Sequence, residues 1–313
     1  MNDTINFSPT MGLCGKYKLQ VMKNGKVVRE TELFPNLITN LGMNNYASTT
    51  CSLLTQYCQI GTGNTPPAFT DTALAAYKSS SNGGGAAGTL AYVDSVNRYM
   101  VVPHTYTFTA PAAAGNISEV GVGSQSASGG LFSRALILDS EGNPTTITVL
   151  SDEDLIVTYM LYVKQPTQDF TGTLGATSYT IRIANADLVG WGDSNPPTWG
   201  WSTYVAGVIR THSSAKSTYT GTIGAITSRP TGIIQSGNGI ASVADTYTPG
   251  TFTRTSTTTF PTGGASATLQ SFLFSIGPAV WQMEISPTIV KSSSQTLKLG
   301  ANITWARDAG PPP

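Results

Sequence analysis

Tyr17, Leu19 and Val21 are apolar and the residues between them are polar, the period of a β-strand with one buried face. Asn24-Gly25 follows, and a second alternating run begins at Lys26. Both turn residues tolerate positive φ, so residues 17–34 are predicted to form a hairpin. In FPNLITNLGMNNYAS (34–48), Leu37, Ile38, Leu41 and Met43 are spaced to line one side of a short helix that contains Gly42. A second helical turn is predicted around Asp71 to Tyr77. Residues 57–60 read as a short strand entering the turn Gly61-Thr62-Gly63, and Pro66-Pro67 forces an extended path beyond it. SSSNGGGAAG (79–88) has the composition of a flexible loop.

From residue 90 onward strand follows strand. TLAYV, RYMVV, TYTFT, ISEVGVGS (117–124), LFSRALIL (131–138), TTITVL (145–150) and DLIVTYMLYV (154–163) are separated by short turns such as DSEGNP. Many short strands with turn residues between them predict an antiparallel sandwich or barrel. QPTQDFTGTLG (165–175) breaks the pattern and reads as a linker. The chain is therefore expected to be all-β. Two antiparallel sandwich-like domains, 1–165 and 176–313, with short helical turns, would be joined by a linker at 166–175. Pro144-Thr145-Thr146-Ile147 followed by DLIVTYMLYV is echoed by Pro287-Thr288-Ile289-Val290 followed by TLKLGANITW, which suggests duplicated halves.

Composition sharpens this picture. Only 11% of residues are charged, against about 25% in an average soluble domain, and the chain carries 33 Gly and 18 Pro. Polarity therefore rests on hydroxyls and amides, which suits strands that bury faces against other subunits. Seventeen Lys and Arg balance seventeen Asp and Glu without a basic run, so nucleic-acid binding has no electrostatic support. MNDTINFSPT lacks the basic and apolar segments of a signal peptide, and synthesis in a cytoplasm is expected. No apolar run approaches the length of a membrane span, so no membrane insertion is expected.

Candidate chemistry is sparse. Cys14, Cys51 and Cys58 lack metal-ligand spacing and read as free or buried thiols. His104 opens a strand and His212 lies in a polar loop, with no G-x-S-x-G or HExxH nearby, so both are expected to be packed or exposed rather than catalytic. Asp152, Glu153 and Asp154 read as a solvated turn without a calcium-loop spacing. Gly61 and Gly63 lack the helix and Lys-Ser/Thr that a phosphate loop requires. No cofactor, no metal and no catalytic residue is expected. GWGDSNPPTWGW sets Asp193 among Trp191, Trp199 and Trp201, and these four are the candidate contacts to a ligand or an interface. The rings either present flat faces to a sugar or protein, or plug the chain's own core. One carboxylate is not the pair that glycoside cleavage needs.

Three stretches resemble proteins of tailed-bacteriophage particles, especially tail-fibre, collar and minor tail proteins. They are NLITNLGMN (36–44), CQIGTGNTPPAFTDTAL (58–74), and 117–163 with its LFSRALIL and DLIVTYMLYV strands. The resemblance covers most of 17–163, with 17–34 as part of an attachment module. It implies a virion protein that assembles symmetrically, as a trimer by similarity to fibres, and that docks on other virion proteins. Contact with a host surface glycan is a further expectation. A capsid decoration or head-fibre protein, and a surface-polysaccharide depolymerase, are the alternatives.

Overall fold

The computed structural model describes residues 8–46, 54–83, 91–94, 99–184, 217–226, 228–236, 241–244, 246–262, 266–276 and 279–310. The fold is all-β, with several antiparallel sheets and one helix among the described residues. The described residues divide into two compact units. The first holds 12–164 and 305–310, and the second holds 8–11, 165–184 and 217–304.

The first unit runs β1 (Thr10–Lys23), β2 (Lys26–Glu30), β3 (Phe34–Pro35), β4 (Leu37–Ile38), α1 (Asn40–Tyr46), β5 (Tyr57–Gly61), β6 (Tyr77–Asn82), β7 (Ala91–Asp94) and β8 (Tyr99–Phe108). It continues through β9 (Gly115–Ile117), β10 (Glu119–Gly123), β11 (Leu131–Leu136), β12 (Ile147–Val149) and β13 (Asp154–Lys164). One sheet has the order β1-β13-β8-β7, with β2 and β3 also paired to β1. Its inner face carries Tyr17, Leu19, Val21, Leu155, Val157, Tyr159, Leu161, Val102 and Tyr106, all fully buried. The second sheet has the order β4-β11-β10-β5-β6. Cys58, Ile60, Val120 and Val122 are fully buried in it, and Tyr17 reaches across the core to share a hydrogen bond with Ser133 (2.7 Å). Two sheets with their apolar faces together make a sandwich.

The predicted hairpin forms as β1 and β2, with Asn24 at φ 50° and Gly25 at φ 74°. Positive φ at both turn residues matches the right-handed twist of the strands. The first predicted helix begins later than its apolar spacing implies. Leu37 and Ile38 pair in β4, and α1 starts at Asn40. Thr39 sets this boundary by capping: its Oγ1 accepts from the Gly42 N–H (2.9 Å). The predicted turn at Asp71 to Tyr77 is not helical, and Tyr77 opens β6. Part of the predicted loop at 79–88 is also strand, since Ser79, Ser80 and Ser81 pair with β5.

The second unit holds β14 (Phe170–Leu174), β15 (Thr177–Ala184), β16 (Ser217–Tyr219), β17 (Ile233–Ser236) and β18 (Ala241–Ala244). β19 (Thr253–Phe260), β20 (Ala267–Ile276), β21 (Ala279–Lys291) and β22 (Leu297–Arg307) complete it, although residues 305–307 of β22 belong to the first unit. Its main sheet has the order β14-β15-β21-β20-β16-β17. Ile181, Ile183, Trp281, Met283 and Phe272 form its buried face, and Phe170 meets Trp281 edge-on at 6.1 Å. Half of the expected linker at 166–175 is strand, because Phe170–Leu174 pairs along its length with β15. A Thr- and Gly-rich segment reads as a loop by composition yet pairs well when a partner strand lies beside it.

Candidate functional site

β10 and β11 are buried at every position, although EVGVG and LFSRAL contain a carboxylate and a guanidinium. The reason lies on the outer face of their sheet. Glu119 pairs directly with Gly61 of β5, and Gly121 pairs with both Gln59 and Arg134. Residues directly opposite share a face, so Glu119 and Arg134 meet diagonally. The segment 62–76 folds over them, with Leu74 lying above Gly121.

Glu119 is fully buried, and its carboxylate holds that segment at both ends. Oε1 accepts from the backbone N–H of Gly63 (3.0 Å) and Ala76 (2.7 Å), and Oε2 from that of Ala75 (3.0 Å). Arg134 donates to Oε2 from Nε (3.1 Å) and Nη2 (2.9 Å). The guanidinium also donates to Asp71 Oδ2 (2.5 Å) and to the Thr65 carbonyl (2.8 Å). Ser118 Oγ donates to the Gly63 carbonyl (2.8 Å). Two buried ions are tolerated because each is hydrogen-bonded on nearly every side.

This arrangement explains the missing helical turn. Ala75 and Ala76 give their N–H groups to Glu119 rather than to carbonyls four residues back, and Asp71 turns toward Arg134. It also gives Gly61 and Gly63 a purpose. A Cβ on Gly63 would lie 2.4 Å from Glu119 Oε1, and one on Gly61 would lie 2.5 Å from the Ala76 carbonyl oxygen. The loop amides do gather around an anion, and that anion is the chain's own carboxylate.

The held segment also joins α1 and the chain's C-terminal residues. The Asn40 N–H donates to the Phe69 carbonyl (2.7 Å), and Arg307 lies 4.1 Å over the half-exposed Phe69 ring. Arg307 donates to the Ile38 carbonyl and to Asn40 Oδ1, both at 2.7 Å. Trp305 Nε1 donates to the Met43 carbonyl (2.8 Å).

His104 faces the core from β8, 3.3 Å from Thr55 Oγ1 and stacked near Tyr106. Burial pushes its pKa down to about 4 and keeps it neutral at pH 7. The Asp152–Asp154 cluster is only partly the solvated turn expected. Asp152 pairs with Lys23 (2.9 Å), and Asp154 accepts from the Ala110 N–H (2.8 Å). Glu153, in contrast, is buried, pairs with Arg29 and accepts from the Leu150 N–H (2.8 Å). The three carboxylates thus turn to separate partners. Cys14 and Cys58 are buried free thiols, and burial with the nearby Asp308 raises the Cys14 pKa to about 12. Trp191, Asp193, Trp199 and Trp201, together with His212 and Cys51, lie outside the described residues.

The Glu119–Arg134–Asp71 cluster was not singled out from sequence. Its signal is a lone carboxylate and a lone guanidinium in otherwise apolar strands, a pattern that implies pairing wherever both strands are buried. An open groove of about 490 Å³ lies elsewhere on the first unit, between Arg29–Glu32 and the segments Ile137–Ser140 and Thr145–Thr148. No family model, curated protein or solved structure matches this chain.

Proposed function

We propose that this protein is a structural subunit of a tailed-bacteriophage particle, of the tail-fibre, collar or tail-tip type, which assembles with copies of itself and docks on other virion proteins. The reading starts from the resemblance of 36–44, 58–74 and 117–163 to such proteins. The observation that carries it is what these three stretches do together. Thr39 donates to the Leu131 carbonyl (2.7 Å), Asn40 binds Phe69, and Glu119 and Arg134 hold 62–76. The buried Thr39, Glu119 and Arg134 side chains are thus spent on contacts that join these segments, and the Glu119 carboxylate is saturated by its five donors. That is the economy of a rigid building block rather than of a reactive centre.

A low charge fraction supports the same reading, since hydroxyl-bearing strands cost less to desolvate against neighbours than charged ones do. Trp191, Trp199 and Trp201 are the residues proposed to meet a host surface glycan or a neighbouring subunit, with Asp193 beside them. Immunogold labelling of particles of the phage that encodes the chain tests the proposal. Label on the tail is expected. Label confined to the head would favour the decoration or head-fibre alternative, and unlabelled particles would refute a virion role. Release of reducing sugar from host envelope material by the purified chain would replace it with the depolymerase alternative.

A further inference from the structure

We propose that Arg307 and Phe69 form a docking site for a carboxylate on a neighbouring protein, an aspartate or glutamate flanked by apolar side chains. This rests on the reading of the chain as a subunit that docks on other virion proteins, and it names one contact. Arg29, Arg134 and Arg182 each face a carboxylate of their own chain. Arg307 faces none among the described residues. Its partners are the Phe69 ring, the Ile38 carbonyl and the Asn40 amide oxygen, all of them neutral. Asp71, the acid on the same loop as Phe69, is turned to Arg134. Burial lowers the Arg307 pKa and no carboxylate acts against that shift, whereas Asp169 raises the pKa of Arg182. A half-buried cation is thus left without a counter-charge, a state that an incoming anion relieves.

The hydrogen bonds select the shape of that anion. A guanidinium carries five N–H donors in a planar fork. Nε donates to Ile38 and one hydrogen of Nη2 to Asn40, so one edge of the fork is fixed by the chain itself. Both hydrogens of Nη1 and the second of Nη2 bond to no described residue. One hydrogen from each nitrogen lies along the other edge, where two parallel bonds can grip a planar carboxylate. The site is also pre-organised, which lowers the entropy lost on binding. Phe69 follows Pro66-Pro67-Ala68 on the segment that Glu119 and Arg134 fasten, and its carbonyl is held by the Asn40 N–H (2.7 Å). The guanidinium then rests 4.1 Å over the ring. The surroundings favour a protein over a sugar. Pro66 and Ala68 are exposed and Phe69 is 50% accessible, and none of the three has a polar side-chain atom to meet a sugar hydroxyl. Arginine and aromatic rings are the residues in which protein interfaces are enriched.

The test is titration of the full chain with a capped Leu-Glu-Leu tripeptide, followed by NMR of the Arg307 guanidinium and the Phe69 ring. Both sets of signals should move. A capped Leu-Gln-Leu tripeptide should bind at least about tenfold more weakly, since it offers no charge and a single accepting oxygen. Arg307→Lys keeps the charge but loses the fork, and it should weaken the Leu-Glu-Leu peptide by at least about tenfold. Near-UV circular dichroism checks that this variant keeps its fold, and the comparison of the two peptides on the unaltered chain decides the matter if it does not. Equal binding of the two peptides, or shifts confined to other residues, would overturn the site. Tighter binding of a glucuronate oligosaccharide than of the Leu-Glu-Leu peptide would overturn the protein partner in favour of an acidic glycan. The immunogold result is independent of these outcomes. Labelled particles with an Arg307 that ignores the peptide would sink this contact and leave the virion reading intact, and unlabelled particles with a responding Arg307 would do the reverse.

Discussion

Replacing Glu119 with glutamine keeps the shape of the side chain and removes half of its accepting capacity. Its two oxygens receive five donors: the N–H groups of Gly63, Ala75 and Ala76 and two from Arg134. An amide has one accepting oxygen, and its NH2 must face the rest. If the NH2 replaces Oε1, the Gly63 and Ala76 N–H groups are orphaned. If it replaces Oε2, the Ala75 N–H and the guanidinium are. Each buried donor left without a partner costs about 1–3 kcal/mol. Glu119→Gln should therefore destabilise the first unit by about 3–5 kcal/mol, the range for breaking a buried ion pair. Urea unfolding gives the total, and amide hydrogen exchange at Gly63, Ala75 and Ala76 reads the site directly. Arg134→Met should cost a similar amount, and the double variant should cost less than the sum by about 1–3 kcal/mol, because both act on one network. A loss below about 1 kcal/mol with unchanged exchange at those three amides would refute the role given to Glu119.

Other outcomes follow from the same structure. Because the folded pKa of His104 is depressed, the unfolded chain takes up a proton near pH 6.5 that the native chain refuses until about pH 4. Stability should thus fall by about 1.4 kcal/mol per pH unit through that window on account of this residue, and urea midpoints of His104→Gln should show a correspondingly flatter profile. An unchanged slope would place the titration elsewhere. Gly42→Ala improves helix propensity by about 1 kcal/mol, yet its Cβ would lie 2.2 Å from the Phe132 carbonyl oxygen. A net loss of about 1–3 kcal/mol in the unfolding free energy is expected, and a gain would contradict the close approach of α1 to β11. Cys14 should resist alkylation at pH 8 in the native chain and react after denaturation, as peptide mapping will show.

Local chemistry was legible without the fold. The hairpin at 17–34 could be read from its alternation and from Asn24-Gly25, because a two-residue turn requires backbone angles that few residue pairs supply. The strands at 117–163 could be read from their period. The turn at Asp71, the strand in the expected linker and the burial of Glu153 could not. In each, the preference of the segment itself is weak, and a partner outside it decides: the distant Glu119 for Ala75 and Ala76, the adjoining β15 for Phe170–Leu174, and the distant Arg29 for Glu153.

The division is therefore physical. Residues 17–25 carry their own instructions, since steric limits on φ and the two-residue period act within a few neighbours. Glu119 and Arg134, fifteen residues apart, show in sequence only as lone charges in apolar strands and become the anchor of the module when antiparallel pairing sets them diagonally and 62–76 seals them from water. Burial turns an ordinary surface pair into one that must be satisfied, and burial is a property that tertiary structure alone confers.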